Sequence, residues 1–155
     1  MAEPASWQLV EYIRDVLRGI TIANGYRTDL GAGAIVVDDD EAPDDRDAAA
    51  TVVEVTTVPV SGSSRSHVNS DADITVEFGI PRNGATTNPK LLAHRARADI
   101  VQALMVDERS LPQFIRSLGL VDAELYQASD HSGAAYVIAQ VTARAGLTET
   151  KSPAP

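Results

Sequence analysis

Residues 73–80 alternate without a break. Ile74, Val76, Phe78 and Ile80 take one side, and Asp73, Thr75 and Glu77 the other. Successive side chains of a strand point to opposite faces, so this pattern demands a sheet with one buried and one wet face. Stretches of helical spacing lie on either side of it. Leu9, Ile13, Val16, Leu17 and Ile20 form one helical stripe, with Glu11, Arg14, Asp15 and Arg18 on the other face. Leu92, Ala96, Ile100, Ala103 and Leu104 form a second stripe, whose alanines permit close approach to a sheet. Asn88 and Pro89 suit the cap and first position of that helix. Arg95, Arg97, Asp99 and Gln102 are expected to face mostly outward. The expected fold is therefore α+β: a single mostly antiparallel (mixed) sheet with two main helices packed on one face.

The remaining segments read less sharply. Ser6 is a plausible N-cap for the first helix. Gly19 and the β-branched run from Ile20 to Ile22 end that helix, and Asn24-Gly25 marks a turn. Residues 26–28 and 34–37 read as short strands. Residues 51–60 are rich in Val and Thr and read as a strand ending near Pro59. Residues 61–66 have the composition of a flexible loop. Residues 110–118 suit a short helix or turn closed by Gly119. Residues 121–127 and 134–144 read as a hairpin around 129–133, with Val137, Val141 and alanines 135, 139 and 143 on one face. Residues 1–147 are expected to form one domain, and 148–155 a disordered tail.

Charge restricts the function classes. The 155 residues carry a net charge of −9 and contain no cysteine. Disulfides, thiolate metal sites and Cys nucleophiles are excluded. Acidity argues against nucleic acid, because phosphate binding needs Lys and Arg to release counterions. It also disfavours anionic membranes. No charged and apolar leader opens the chain, and no apolar run approaches the roughly 20 residues that span a bilayer. The chain is expected to stay where it is made unless carried out within a particle. Seven carboxylates, Asp38, Asp39, Asp40, Glu41, Asp44, Asp45 and Asp47, crowd into 38–47 with only Arg46 against them. Their mutual repulsion predicts a solvated, mobile loop that orders against a partner.

No segment reads as an active site. Ser129, Asp130, His131 and Ser132 are triad residue types, but a triad is a spatial constellation and not a run in a turn. His67 and His94 are isolated from one another, a weak metal signal. Gly31-Ala32-Gly33 lacks the third glycine and following helix of a phosphate loop. The acidic run lacks the Gly and terminal Glu of a calcium loop. The chain is therefore expected to be no enzyme and to hold neither cofactor nor metal. Exposed strand edges do invite pairing with another chain.

The order of these elements resembles the tail terminator (minor tail, tail completion) proteins of tailed phages. The resemblance spans about residues 9–143. It rests on Ile13 to Ile20 followed by Gly25-Tyr26-Arg27-Thr28-Asp29-Leu30-Gly31, then on the acidic, Pro-containing loop. Ile74-Thr75-Val76-Glu77-Phe78, the helix from Arg95 to Leu104, and the closing run from Tyr136 to Thr142 complete it. It is a likeness of order and spacing and contains no sharp motif. What it implies is a virion protein of the tail, assembled in the host cytoplasm. Such a protein forms a homo-hexameric ring that caps the tail tube, ends its polymerisation and offers the head-joining surface. The implied partners are its own copies, the tail tube protein and a head-tail connector protein, with no nucleic acid, membrane or cofactor.

On that reading the acidic carboxylates, together with Arg65, His67 and Arg82, are the candidate interface residues. Like charges facing across a six-fold axis repel, so the acidic loop is expected to meet a basic partner surface. Neutralising Asp38, Asp39 and Asp40 is then expected to weaken partner docking and spare the ring. Three rivals stand beside this reading. One is a head-tail connector or neck protein of the same particle. Another is a non-viral binding domain or toxin-system component that takes a peptide at its sheet edge. The last is a small enzyme or ligand-binding protein with a pocket between sheet and helices.

Overall fold

The computed structural model describes residues 3–37, 49–82, 84, 86–105, 107–129 and 135–150. Two helices, α1 (Ala5–Arg18) and α2 (Pro89–Leu104), lie against a mixed six-stranded sheet. The strands are β1 (Ala34–Val37), β2 (Ala50–Thr57), β3 (Val60–Ser63), β4 (His67–Pro81), β5 (Ile115–Ser129) and β6 (Ala135–Thr150). Their spatial order is β1-β2-β4-β6-β5, with β3 pairing alongside β4 beyond the end of β2. Only β1 and β2 run parallel; the other pairs are antiparallel. The fold is α+β, with both helices on one face of the sheet.

Period-2 burial places the core. From β4 come Ala72, Ile74, Val76, Phe78 and Ile80, and from β6 Val137, Ala139, Val141, Ala143, Ala145 and Leu147. Leu9, Val10, Ile13 and Leu17 of α1 and Ala93, Ala96, Ile100, Ala103 and Leu104 of α2 cover them. Each fully buried Leu, Ile or Val here contributes about 1.5–3 kcal/mol through its apolar area. Small residues on both α2 and β6 bring that helix close to the sheet. The Asn88 side chain accepts the Leu91 amide and Pro89 opens α2, as the sequence implies.

Several expectations needed correction. α1 starts one residue before Ser6, after Pro4, with no side-chain cap of its own. The Ala5 amide instead donates to the Glu149 carboxylate on β6, a partner 144 residues away that local sequence does not reveal. Residues 26–28 form no strand, because the Arg27 and Thr28 amides donate to Asp99 and not to a neighbouring backbone. β2 stops at Thr57, and the chain resumes beside β4 as β3, so part of the Ser/Gly-rich 61–66 segment is paired strand. Pro59, lacking an N–H, sits in the break, and its carbonyl accepts the Asp71 amide.

Residues 110–118 hold the end of a 3-10 turn (Glu108–Ser110) and then β5 from Ile115, with Gly119 inside the strand. β6 runs three residues into the segment expected to be a tail. Thr148, Glu149 and Thr150 pair with Asn69, Val68 and His67. The Thr148 amide also donates to Phe114 O. Alternation fails to mark this stretch because Glu149 takes the inward position that follows Ala143, Ala145 and Leu147, so the apolar series ends at Leu147. Residues 151–155 lie outside the described residues.

Candidate functional site

The loop after α1 is held in place by one carboxylate. Asp99, expected to face outward, is fully buried on α2. Its Oδ2 accepts the Thr28 amide (2.8 Å) and the Thr28 hydroxyl (2.7 Å). Its two oxygens share the Arg27 amide at 3.1 Å. The Arg27 guanidinium reaches Oδ1 at 3.2 Å and Gln102 Oε1 at 3.3 Å. A buried carboxylate is tolerable only with such compensation. Within the loop, Asp29 Oδ1 accepts the Ile22 amide and Ile20 O accepts the Gly31 amide. Gly25 takes a φ of 92°, the left-handed region glycine allows. A Cβ on Gly31 would overlap the carbonyls of Leu17 and Arg18, so only glycine fits there. Every bond of Asp99 is used in folding, and the cluster is a clip and not a reactive centre.

The face of the sheet away from the helices is acidic, and no helix covers it among the described residues. Register places Glu54, Asp73, Glu77, Asp122 and Glu124 on it, with Arg144 among them. At its middle Glu77 Oε1 accepts from the Tyr126 hydroxyl at 3.1 Å and from Gln140 Nε2 at 2.6 Å. Burial, reinforced by Glu77, pushes the Tyr126 hydroxyl up to about 12. The hydrogen bond from Arg144 holds Asp73 below the usual carboxylate range.

The opposite character gathers at the β5 edge. Lys90, His94 and Arg97 stand at i, i+4 and i+7 on α2, one helical stripe that follows β5. Arg97 Nε donates to Ala123 O at 3.0 Å, filling one acceptor of the β5 edge. Lys90 and His94 line a shallow pocket of about 160 Å³ with Leu125, Tyr126, Gln127 and Val137. Arg82 Nη1 donates to Gln127 Oε1 at 2.9 Å at the rim of the same pocket. Farther along this edge Leu120 and Val121, where β5 bulges, are exposed apolar residues. The one acid on α2 is the buried Asp99, so every exposed charge of that helix is cationic. Among the described residues the ion pairs use Arg14, Arg18, Arg27, Arg116 and Arg144, and none engages Lys90, Arg97 or Arg82.

The expected interface residues do not form one cluster. His67 opens β4 and Arg82 follows its last residue, about 50 Å of strand apart. Arg65 is exposed in the β3–β4 turn beside His67, whose Nδ1 contacts the hydroxyls of Ser64 and Ser66 at 3.1 Å each. Only Arg82 joins the cationic strip. Asp38, Asp39, Asp40, Glu41, Asp44, Asp45 and Asp47 lie outside the described residues, as do Asp130, His131 and Ser132. The segment holding the first seven leaves β1 after Val37 and enters β2 before Ala50, at the other sheet edge. Sequence reasoning missed Lys90, His94 and Arg97 as a group. Their i, i+4, i+7 spacing was readable, but nothing local placed that stripe against a sheet edge.

A second concavity, about 530 Å³, is lined by Gln113, Phe114, Thr148 and Thr150, none of them titratable. Among the described residues no group of three His, Cys, Asp or Glu is placed to hold a metal ion. No helix there is long and apolar enough to cross a membrane.

No known protein family's sequence profile matches this chain, and no curated protein matches it. Among solved structures, one protein whose name carries no functional description is 11% identical over 89% of this chain and 94% of its own. The TM-score of that superposition is 0.39, too low to support a functional inference.

Proposed function

We propose that this chain is a virion assembly protein of the tail-terminator kind, forming a hexameric ring that caps a phage tail tube. The ring ends tube polymerisation and presents the surface that joins the head. Its partners are its own copies, the tail tube protein and a head-tail connector protein; it works in the virion tail and performs no catalysis. The observation that carries this reading is the layout of the sheet: among the described residues, β1 and β5 end it with no further strand paired, and both helices lie on one face, leaving the other without a covering element. Two dissimilar edges suit heterologous, head-to-tail contacts, which close into a ring under cyclic symmetry. The order of elements adds support through its resemblance to tail terminators.

The test is native mass spectrometry across a concentration series, alone and with assembling tail tube subunits. A species at six times 16.4 kDa that binds tube ends and shortens the tubes supports the reading. A ring that binds connector and ignores tube points to a neck protein. A chain that stays monomeric in both conditions and leaves tube length unchanged overturns the terminator reading.

A further inference from the structure

We propose that the half of the β5 edge beyond Arg97 takes an extended segment of a partner protein, added as a further strand and carrying carboxylates at alternate positions. The inference goes beyond the ring and does not depend on it. It leaves the other half of the edge, with the exposed Leu120 and Val121, to a neighbouring copy.

The backbone of β5 shows which groups are open. Ala123 O accepts from Arg97 Nε at 3.0 Å, so that carbonyl points away from β6. The Ala123 amide is also taken, by Asp122 Oδ1 at 2.8 Å. Backbone direction alternates along a strand, so Leu125, Gln127 and Ser129 turn the same way as Ala123. The β6 side agrees: Ala135, the partner of Ser129, accepts the Arg82 amide on its carbonyl and so turns away from β5. Among the described residues nothing pairs with the outward groups of Leu125 and Gln127. The edge is closed at Ala123 and open just beyond it, at the amide and carbonyl of Leu125 and of Gln127. Unpaired groups of this kind accept a strand from another chain.

Side chains select the chemistry. A residue paired opposite Leu125 or Gln127 shares their face of the sheet, the one under α2. There it meets Lys90 and His94, which line the pocket with Leu125 and Gln127, and Arg82, which reaches the Gln127 amide oxygen. None of Lys90, Arg97 and Arg82 is engaged in an ion pair among the described residues. Spacing fits as well. Alternate residues of a strand lie about 6.8 Å apart, and the rise from Lys90 to His94 along their helix is about 6 Å. Carboxylates at i and i+2 of the added strand therefore face the two basic side chains in turn. The residue between them lies beside Tyr126 on the other face, where Glu77, bonded to the Tyr126 hydroxyl, and Glu124 repel an acid. The occupant is an alternation of acidic and neutral residues and not a general polyanion, and complementary charge fixes its register.

The probe is a blocked heptapeptide alternating Glu with Thr, titrated into full-length chain labelled with ¹⁵N. The amides of Leu125 and Gln127 are expected to shift most, and the anisotropy of a fluorescently tagged peptide to give a saturable isotherm. Lys90→Glu with His94→Glu is expected to weaken binding about tenfold or more. Gln127→Pro removes an outward N–H that the β6 ladder does not use, and is expected to weaken binding with the charges intact. A peptide of the same composition with its Glu residues consecutive, and one methylated at every backbone nitrogen, are each expected to bind about tenfold more weakly or worse.

No saturable binding to the native chain, equal affinity for the peptide with consecutive Glu residues, or an affinity that either variant leaves unchanged overturns the inference. Leu125 and Gln127 amides that shift when native chain alone is concentrated mean that a second copy covers this half of the edge, which overturns it as well. Ring formation is scored separately by native mass spectrometry, so each of the two readings fails on its own measurement.

Discussion

Thr28 gives both its amide and its hydroxyl to Asp99 Oδ2, at 2.8 and 2.7 Å, across 71 residues of sequence. This ties the loop that follows α1 to the middle of α2. Removing the acceptor strands two buried donors, so Asp99→Ala is expected to cost about 3 kcal/mol. Thr28→Val, which removes only the hydroxyl, is expected to cost about 1–2 kcal/mol. Urea unfolding measures both, and hydrogen exchange at the Arg27 and Thr28 amides is expected to accelerate in Asp99→Ala. Equal stability of Asp99→Ala and native chain would refute the clip.

Gly31 packs its Cα against the last turn of α1, where a methyl group would meet the carbonyls of Leu17 and Arg18. Gly31→Ala must move backbone and not side chain, so a loss of about 2 kcal/mol or more is expected. Gly25→Ala suffers for another reason, its φ of 92°, and is expected to lose about 1 kcal/mol. Thermal denaturation of the two variants ranks them; the reverse order would contradict this account of Gly31.

Thr51 is fully buried on β2, and its hydroxyl has no hydrogen-bond partner among the described residues. Thr51→Val removes an unsatisfied polar atom at nearly constant volume. The variant is expected to be more stable by about 1 kcal/mol. A stability decrease in urea would mean that the hydroxyl is satisfied after all.

Tyr126 sets the high-pH limit. Its folded pKa of about 12 lies above the ordinary tyrosine value of 10.0. A phenol whose pKa is raised by folding holds its proton in the native state while the unfolded chain has already lost it. Its contribution is therefore complete below pH 10 and is lost between about 10 and 12. Ultraviolet titration is expected to show a late-ionising tyrosine that shifts toward 10 in Glu77→Gln. A spectrum in which all tyrosines ionise together near 10 would rule this out.

The sequence by itself determined what repeats at short range. Alternation at Asp73–Ile80 specified a half-buried strand, and the two helical stripes specified α1 and α2, although α2 was expected to run to about Asp107 and ends at Leu104. Asn88-Pro89 marked where α2 begins, and these periods sufficed for an α+β sheet covered on one side. All of these depend on local geometry, which residues a few positions apart encode.

Only the tertiary structure decided the rest, because its partners are distant in sequence. Glu149 takes the first amide of α1, so Ser6 is not the cap. Asp99 looks like a surface acid beside Arg95 and Arg97, and is buried only because the Arg27–Thr28 loop supplies its donors. β3 and the end of β6 are strands because β4 is long enough to pair them, although Ser, Gly and Thr there carry no alternation. Lys90, His94 and Arg97 become an edge because strand order puts β5 beside them, and the same order puts β1 and β2 toward the far side. Strand order reflects which long-range pairings bury the most apolar area together, and no local pattern carries that information.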